Sequence, residues 1–517
     1  MMRGYRKMNS ENKLDFILHL KYDISNSKIF QSKEQPSKLI FGAGLKSAEL
    51  VVRQYLVSRI LDVNFNKEIL YCFGDSNRKF SYPLPYAWLQ KVRKSGIKVN
   101  FLTSSLKFKW YVLKCFLGSI LVFGKQLKHN FSEIFNPSFS KLSNYVYFDG
   151  LVPSNIPKSN SKPSFDIINW YLQWSENEKK LSYIVHQVKS VPELAKNGVN
   201  IKSVKTPIPP LRNPLSITKF ILWFFQAMIK SLMDLLANHW WSSLLMMEAV
   251  KARPIQYFGE SELAKDYLFH NSGWIYRPLW TYEAETKGSK ITLYFYSRNC
   301  ENFKYAHGYP IQSNYWQITN WQRYLVWNES HEEFIYRCIN KNAIVLNVGA
   351  IWFQDNCDIE FTLPFNSVAV FPVQPLRDSY YQALGIDLEY YISLNANQFL
   401  EDCYQVILEK RMILVLKNKR DIGNLLTNSY NKRINSIILD KAVIVIDSNI
   451  SANRVIQQSK AVISMPFTST ALIAQEMGKP TCYYDPFGMI QKDDRASSGI
   501  EIITGKKELE VWFSKLD

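Results

Sequence analysis

Residues 441–488 constrain this chain most, because their pattern admits one local fold. The runs 442–446, 461–465 and 481–484 are short, apolar and rich in β-branched or aromatic side chains, and Pro466 closes the second. Between the first two, Ser451 and Asn453 can cap a helix that carries Val455 and Ile456 on one face. Thr468, Ser469 and Thr470 then open another helix, with Leu472, Ile473 and Met477 inward. Gly478-Lys479-Pro480 stops it, since glycine suits the residue after a helix and proline cannot continue one. Strand, helix, strand, tight turn, helix, strand makes linked βαβ units and calls for a parallel sheet.

The chemistry of this stretch lies at the turn. Three hydroxyls at a helix start stand beside unsatisfied backbone N–H groups and the positive end of the helix dipole. Such a place can hold a phosphate without a metal. The plainer alternative is a helix cap, for which one of the three residues suffices.

The stretch resembles the carboxy-terminal signature of bacterial surface-polysaccharide biosynthesis proteins with a PFTS motif, here Pro466-Phe467-Thr468-Ser469. That family resembles GT-B glycosyltransferases, and the resemblance covers about residues 270–517. It implies an α/β, GT-B-like fold of two Rossmann-like domains facing a cleft. It also implies that a Ser/Thr pair at this helix start binds the donor phosphate, as in GT-B enzymes that use CMP-sialic acid or CMP-Kdo.

At 517 residues the chain exceeds one ordinary domain, and 47% hydrophobic content supplies packed cores rather than disorder. The formal net charge of +18 calls for acidic partners: nucleic acid, anionic lipid, or anionic sugars and phosphates. No nucleic-acid-binding motif accompanies it, so nucleic acid is set aside. Seven dispersed cysteines without a CxxC suggest reduced thiols in a cytoplasm-like compartment. No Cys/His cluster has ligand spacing and no DxD pair follows a strand, so neither a metal nor another cofactor is expected. The amino terminus has no signal-peptide apolar region.

Two segments can touch a membrane. Residues 108–123 are apolar but interrupted by Lys109 and Lys114, and shorter than the roughly 20 residues of a spanning helix. Residues 215–247 are longer, with Lys219, Lys230, Asp234 and His239 spaced through them. They suit either a helix lying among lipid headgroups or a buried core helix pair.

Along the chain, 38–41 reads as a strand leading through Gly42-Ala43-Gly44 into a helix at 47–61, a plain βα turn because a lone GxG is weak. Residues 62–106 read as short strands with polar loops, 145–149 as a strand, 152–166 as a surface loop, 182–187 as a strand and 193–196 as one helical turn. From 255 the pattern is α/β. Strands are expected at 255–258, 291–296, 323–327, 343–348, 368–373 and 412–416; helices at 261–269, 331–339 (with Ser330 as cap) and 397–410. No fixed-period repeat is present. Two domains follow: 1–327 on the acceptor side, with the apolar insertion near 215–247, and 328–517 for the nucleotide-sugar.

Ligands in open parallel sheets bind outside the carboxyl ends of the strands. Asn299, His307, Gln374, the Lys417/Lys419/Arg420 group and the 468–470 turn all lie at or just past such ends. Lys417, Lys419 and Arg420 suit phosphate, or are a solvated basic strand end. CMP-sialyl and CMP-Kdo transferases show a His-Pro pair in about this region, which Leu416-Lys417-Asn418-Lys419-Arg420 lacks. His307-Gly308 resembles the His-Gly pair of several GT-B enzymes, teichoic acid polymerases included; alternatively His307 is a loop histidine. A catalytic base is required, and His307, Glu283 or Glu285 can supply it. Alternating glutamates also suit a solvated edge. Asp493-Asp494 reads as surface. On the donor side the set is Lys417, Lys419, Arg420, Ser451, Pro466, Thr468, Ser469, Thr470 and Gln374.

The reading is a metal-independent glycosyltransferase of surface polysaccharide biosynthesis, capsule or lipopolysaccharide. It uses a nucleotide-sugar donor, with a CMP-sugar favoured, and a glycan or lipid-linked acceptor. It is cytoplasmic or peripheral on an anionic membrane surface at the inner face of the cell membrane. The rivals are a polyol-phosphate transferase with a CDP-linked donor and a non-catalytic assembly factor.

Overall fold

The computed structural model describes residues 10–25, 49–75, 77–135, 142–156, 167–175, 181–189, 193–196, 198–271, 277–295, 297, 300–304, 306, 308–309, 316, 319–350, 360–377, 390–419, 422–448 and 450–516. The expected strand at 38–41 with its glycine turn, and Asn299, His307 and Arg420, lie outside them.

The chain opens with helices α1 (Ser10–Ser25), α2 (Glu49–Ile60), α3 (Val63–Gly74), α4 (Tyr86–Lys94) and α5 (Phe101–Phe135). Here 62–106 departs from expectation. Its aromatic and β-branched side chains recur at helical spacing, so Phe65 and Ile69 bury one face of α3, and Trp88, Leu89 and Val92 one face of α4. Packing overrides their β-propensity. A lone bridge between Phe80 and Val99 is the strand-like remnant among the described residues.

Next come β1 (Tyr145–Phe148), α6 (Ile167–Trp174), β2 (Tyr183–His186), β3 (Leu194–Lys196), β4 (Val199–Ser203), α7 (Pro214–Leu236), α8 (Trp241–Ala252), β5 (Asp266–His270), α9 (Trp280–Thr286), β6 (Lys290–Tyr294), β7 (Arg323–Val326), α10 (Glu329–Cys338) and β8 (Ile344–Asn347). Four expectations are corrected here. Residues 194–196 are an edge strand, paired antiparallel with β4. Arg253–Tyr257 is a 3₁₀ turn with Pro254 buried at its start. The expected helix at 261–269 is instead β5, whose Asp266 is buried and paired with Arg323 and Thr292 at the strand's start. Asn328, not Ser330, caps α10, accepting from the His331 N–H at 3.1 Å.

The remaining elements are β9 (Ser367–Phe371), α11 (Ser393–Glu409), β10 (Ile413–Lys417), α12 (Asn428–Ile437), β11 (Val443–Ile446), α13 (Ala452–Gln458), β12 (Ala461–Ser464), α14 (Ser469–Glu476), β13 (Thr481–Asp485), β14 (Ile502–Thr504) and α15 (Gly505–Phe513). Residues 441–488 thus fold as their pattern requires.

The strands form two sheets. The first runs β3-β4-β2-β1-β5-β6-β7-β8 and is parallel apart from the β3–β4 pair; the second, wholly parallel, runs β11-β10-β9-β12-β13-β14. Because β8 completes the first sheet, the division by sheets falls between 348 and 366, not at 327/328 as expected. Within each unit the strand order reverses once, between β1 and β5 and between β9 and β12. That is the doubly wound order, with a crevice at each reversal.

Chain segments leaving the carboxyl ends of the two sheets meet each other. Phe303, beyond β6, packs against Phe467, beyond β12, with ring centroids 5.3 Å apart. It also meets Tyr390 and Tyr391 at 5.4 and 5.6 Å. The Lys304 N–H donates to Asp494 Oδ2 at 2.8 Å, and Ser330 Oγ, beyond β7, lies 3.3 Å from Ser498 Oγ. Two Rossmann-like α/β units therefore face one another by their carboxyl edges, the GT-B-like arrangement expected.

Candidate active site

At the reversal in the second sheet, β9 and β12 pair in parallel up to Ser464 opposite Phe371. The Met465 N–H donates to Phe371 O at 3.1 Å, so the two strand ends leave together. The chain then turns sharply. Phe467 adopts φ 62°, a left-handed conformation costly for a side chain with a Cβ. Packing holds it there, against Phe303 and against Tyr483 at 5.6 Å. The Pro466 and Thr468 carbonyls accept from the Tyr391 and Tyr483 hydroxyls at 2.8 and 3.1 Å. The turn's carbonyls are thereby engaged by tyrosines, and the first turn of α14 opens at the crevice.

The Thr468 hydroxyl does not act as a plain cap. Thr468 stands at the N-cap of α14 with its side chain making no cap hydrogen bond. Its hydroxyl donates back to Met465 O at 2.9 Å. Thr470 Oγ1 lies 2.9 Å from Ser464 Oγ and 3.2 Å from Thr468 Oγ1, a short relay under the helix start. Ser469 and Thr470 are half-buried. The N–H groups of a helix's first turn need an acceptor from outside the helix, and the dipole favours an anionic one.

Other residues expected on the donor side lie along the same carboxyl edge of the sheet. Gln374 is half-buried in the loop after β9, tied to the turn where the Val373 N–H approaches Met465 Sδ at 3.1 Å. Lys417 ends β10 and is buried; its Nζ donates to Asn418 O at 2.7 Å and Ser448 O at 3.3 Å. Burial pulls its pKa down to about 8, against the pull of Asp447. It joins the loops after β10 and β11 while keeping a positive charge at this edge. Lys419 is exposed. Ser451 caps α13, accepting from the Arg454 N–H at 3.4 Å, at the carboxyl end of β11.

The first sheet's reversal brings together residues that were not singled out from sequence. Asp149 and Gly150 follow β1, and His270 ends β5. Gly150 has φ 70°, and a Cβ there would stand 1.9 Å from His270 Nε2, so the imidazole rests on a site only glycine permits. Burial lowers the pKa of His270 and the charge of Asp149 opposes that shift. The ring is neutral near pH 7 and can take up a proton, with a carboxylate at hand to stabilise the imidazolium. Tyr147 OH lies 3.2 Å from Asp149 Oδ1 and 2.7 Å from Gln187 Oε1. His186 at the end of β2 differs: its Nδ1 accepts the Val188 N–H at 3.0 Å, and burial pushes it down to about 4.

The two glutamates offered as bases stand elsewhere. Both lie on α9, which feeds through Gly288 into the amino end of β6, the edge opposite the crevices. Glu283 is buried, with Gln256 Nε2 at 3.5 Å, and Glu285 is ion-paired with the buried Arg277. Glu283 is not a solvated edge residue, Glu285 is half-buried in its ion pair, and neither reaches the carboxyl ends. Asp494, expected at the surface, is buried, accepting from the N–H groups of Lys304 and Ala496 at 2.8 and 3.0 Å and lying 3.0 Å from Tyr309 OH. Of the His-Gly pair, Gly308 is described, with φ 113°. Among the described residues no group of His, Cys, Asp or Glu has the arrangement of a metal site.

The model of the family described as polysaccharide biosynthesis PFTS motif protein matches residues 222–513, more than half of the chain. This chain belongs to that family. The matched span of this PFTS protein begins within α7, takes in β5 to β8 and includes the whole second sheet. None of the curated proteins compared matches it. Solved structures similar to it include the wall teichoic acid polymerase TagF, 10% identical over 79% of this chain and 89% of that one, at a TM-score of 0.39. Sucrose-phosphate synthase from Thermosynechococcus elongatus is 8% identical over 72% and 88%, at 0.35. TarM from S. aureus, in complex with fondaparinux, alpha-GlcNAc-glycerol and UDP, is 10% identical over 52% of this chain and about half (51%) of its own, at 0.31. Likeness of this size fixes neither reaction nor substrate; the fold rests on the strand order itself.

Proposed function

We propose that this PFTS protein is a glycosyltransferase that moves a sugar from a nucleotide-activated donor to a glycan or lipid-linked acceptor. One observation carries the reading: the start of α14, which the Thr468 side chain does not cap, opens at the reversal point of a doubly wound parallel sheet. A donor phosphate bound there would accept from the first-turn N–H groups, with Ser469 and Thr470 beside it and Lys417 adding positive charge. As the glycosidic C–O bond breaks, its electron pair passes to the phosphate oxygen, where those dipoles stabilise it. The acceptor hydroxyl oxygen bonds to the anomeric carbon and gives its proton to His270, held near Asp149. His270 replaces Glu283 and Glu285 as the base, because it lies at the carboxyl edge and they do not.

Within this reading the donor is a CMP-sugar and the product a surface polysaccharide such as capsule or lipopolysaccharide. The protein works in the cytoplasm, where nucleotide-sugars are made, against the inner face of the membrane. A CDP-linked polyol phosphate fits the same anion site.

A panel of labelled CMP-, UDP-, GDP- and CDP-donors tests the proposal with wild type, Ser469→Ala and His270→Asn. The expected result is turnover with one cytidine donor. Ser469→Ala should lower kcat by about tenfold or more, and His270→Asn should leave donor binding intact while costing about 10²- to 10⁴-fold in transfer. Undiminished surface glycan in cells carrying either variant would instead mark a non-catalytic assembly factor.

A further inference from the structure

The helices α5 and α7 lie against each other, with the rings of Phe123 and Phe224 stacked at 3.7 Å. Both rest on α8, nearly all of which is buried. Their inner faces are ordinary core: Phe108, Val112 and Phe123 on α5, and Phe220, Trp223 and Ala227 on α7. Their outer faces also carry long apolar stripes. On α5 an exposed stripe runs through Leu102, Leu106, Trp110, Leu113, Leu117 and Leu121, at intervals of three and four residues. On α7 a matching stripe runs through Leu222, Phe225, Ile229, Met233 and Leu236. Leu121 is 68% exposed and Ile229 63%, so these are not core residues glimpsed at an edge. At 35 and 23 residues the helices are about 52 and 35 Å long, and two adjacent stripes of that length far exceed scattered surface leucines.

Charge identifies what covers this face. The acids on the two helices are Glu133 and Asp234, and both are buried. Asp234 is occupied by Lys230 at 2.5 Å and the Ser242 hydroxyl at 2.7 Å. Every exposed charged side chain on the pair is a cation: Lys107, Lys109, Lys114, Lys125 and Lys128 on α5, and Lys219 on α7. A second copy of the same face would set lysines against lysines. A sheet of hydrocarbon bordered by anionic headgroups answers both the stripes and the lysines.

We infer that the paired outer faces of α5 and α7 dock this protein flat on an anionic lipid bilayer. The helices lie in the headgroup layer and do not cross it. Although α7 is long and apolar enough to span, its inner face carries Ser231 and the Asp234 cluster against protein. The inference specifies the membrane side of the proposed function, yet docking itself needs no donor chemistry. The two therefore fail separately: turnover reports one and vesicle binding the other.

The test is co-sedimentation of the full chain with vesicles of phosphatidylcholine alone or with about one-third phosphatidylglycerol, read with light scattering of the free protein. Binding to the anionic vesicles should exceed binding to the neutral ones at least tenfold and weaken in high salt. Each lysine near the surface contributes about fivefold, so Lys109→Glu with Lys125→Glu should remove most of the preference. Leu106→Glu with Ile229→Glu should abolish binding while leaving the thermal midpoint unchanged, because both side chains are exposed. Equal binding to both vesicle types, or none, overturns the inference. So does a wild-type dimer that the glutamate pair dissolves, or protein that leaves native membranes only with detergent and not with salt or alkaline carbonate.

Discussion

Replacing Gly150 with alanine separates two costs that the structure assigns to that position. The first is conformational: φ is 70°, and an L-residue held there costs about 1–2 kcal/mol. The second is steric, since the new Cβ would stand 1.9 Å from His270 Nε2 and 2.2 Å from Cδ2. The imidazole must retreat by more than 1 Å, which adds about 1–3 kcal/mol of overpacking. Gly198→Ala is the control, with φ 76° and nothing within 4 Å of its Cβ, so it carries the first cost alone. Thermal unfolding should show Gly198→Ala lower by a few degrees and Gly150→Ala lower by about twice as much. Adding His270→Ala to Gly150→Ala should recover the steric part, a coupling of about 1–3 kcal/mol in the double-mutant cycle. If the proposed chemistry holds, Gly150→Ala should also cost about 10²-fold in transfer, since an ångström of misplacement does that. Equal melting of the two single variants, or a cycle with no coupling, would refute the contact between glycine and imidazole.

Two further outcomes are expected. His186 is held neutral by burial, with its pKa pushed from 6.5 to about 4. The unfolded chain therefore binds the extra proton first, so His186's contribution is intact above about pH 6.5 and is lost as pH falls toward 4, about 3 kcal/mol in all. Urea midpoints across that range should show the loss, and His186→Gln should flatten it. Asp494→Ala removes an acceptor shared by the Lys304 N–H from the facing unit and the Ala496 N–H, and it vacates the place beside Tyr309 OH. It should lower stability by about 2–3 kcal/mol and speed proteolytic cleavage near residue 304, whereas Asp493→Ala, at an exposed ion pair, should do neither.

Most of the second sheet was legible because β9, β10, β12 and β13 are buried on both faces. Runs such as Ala461–Ser464 are continuous apolar segments between clear helix stops, a pattern with few alternatives. The helix at 47–61 was legible as α2, but the helices within 62–106 were not, because Phe65, Ile69, Trp88 and Val92 are β-prone residues at helical spacing, and their burial decides. The same ambiguity hid the proposed base. With β5 read as a helix over 261–269, His270 stood just past a helix rather than at the carboxyl end of a strand. Nothing local announces that Asp149, more than a hundred residues earlier, is its neighbour; the sheet order supplies that. The glutamates erred the other way: a carboxylate pair near a strand is visible in sequence, but which end of the strand it faces is not.

Phe303 has a consequence for how this protein can be divided. Its ring fills a space walled by Phe467, Tyr390 and Tyr391, so a side chain from one half completes the interior of the other. A fragment cut in the 348–366 interval would present bare aromatic walls to water. The carboxy-terminal half is thus not a detachable module that could be transplanted onto another partner unless the 300–304 strap travels with it.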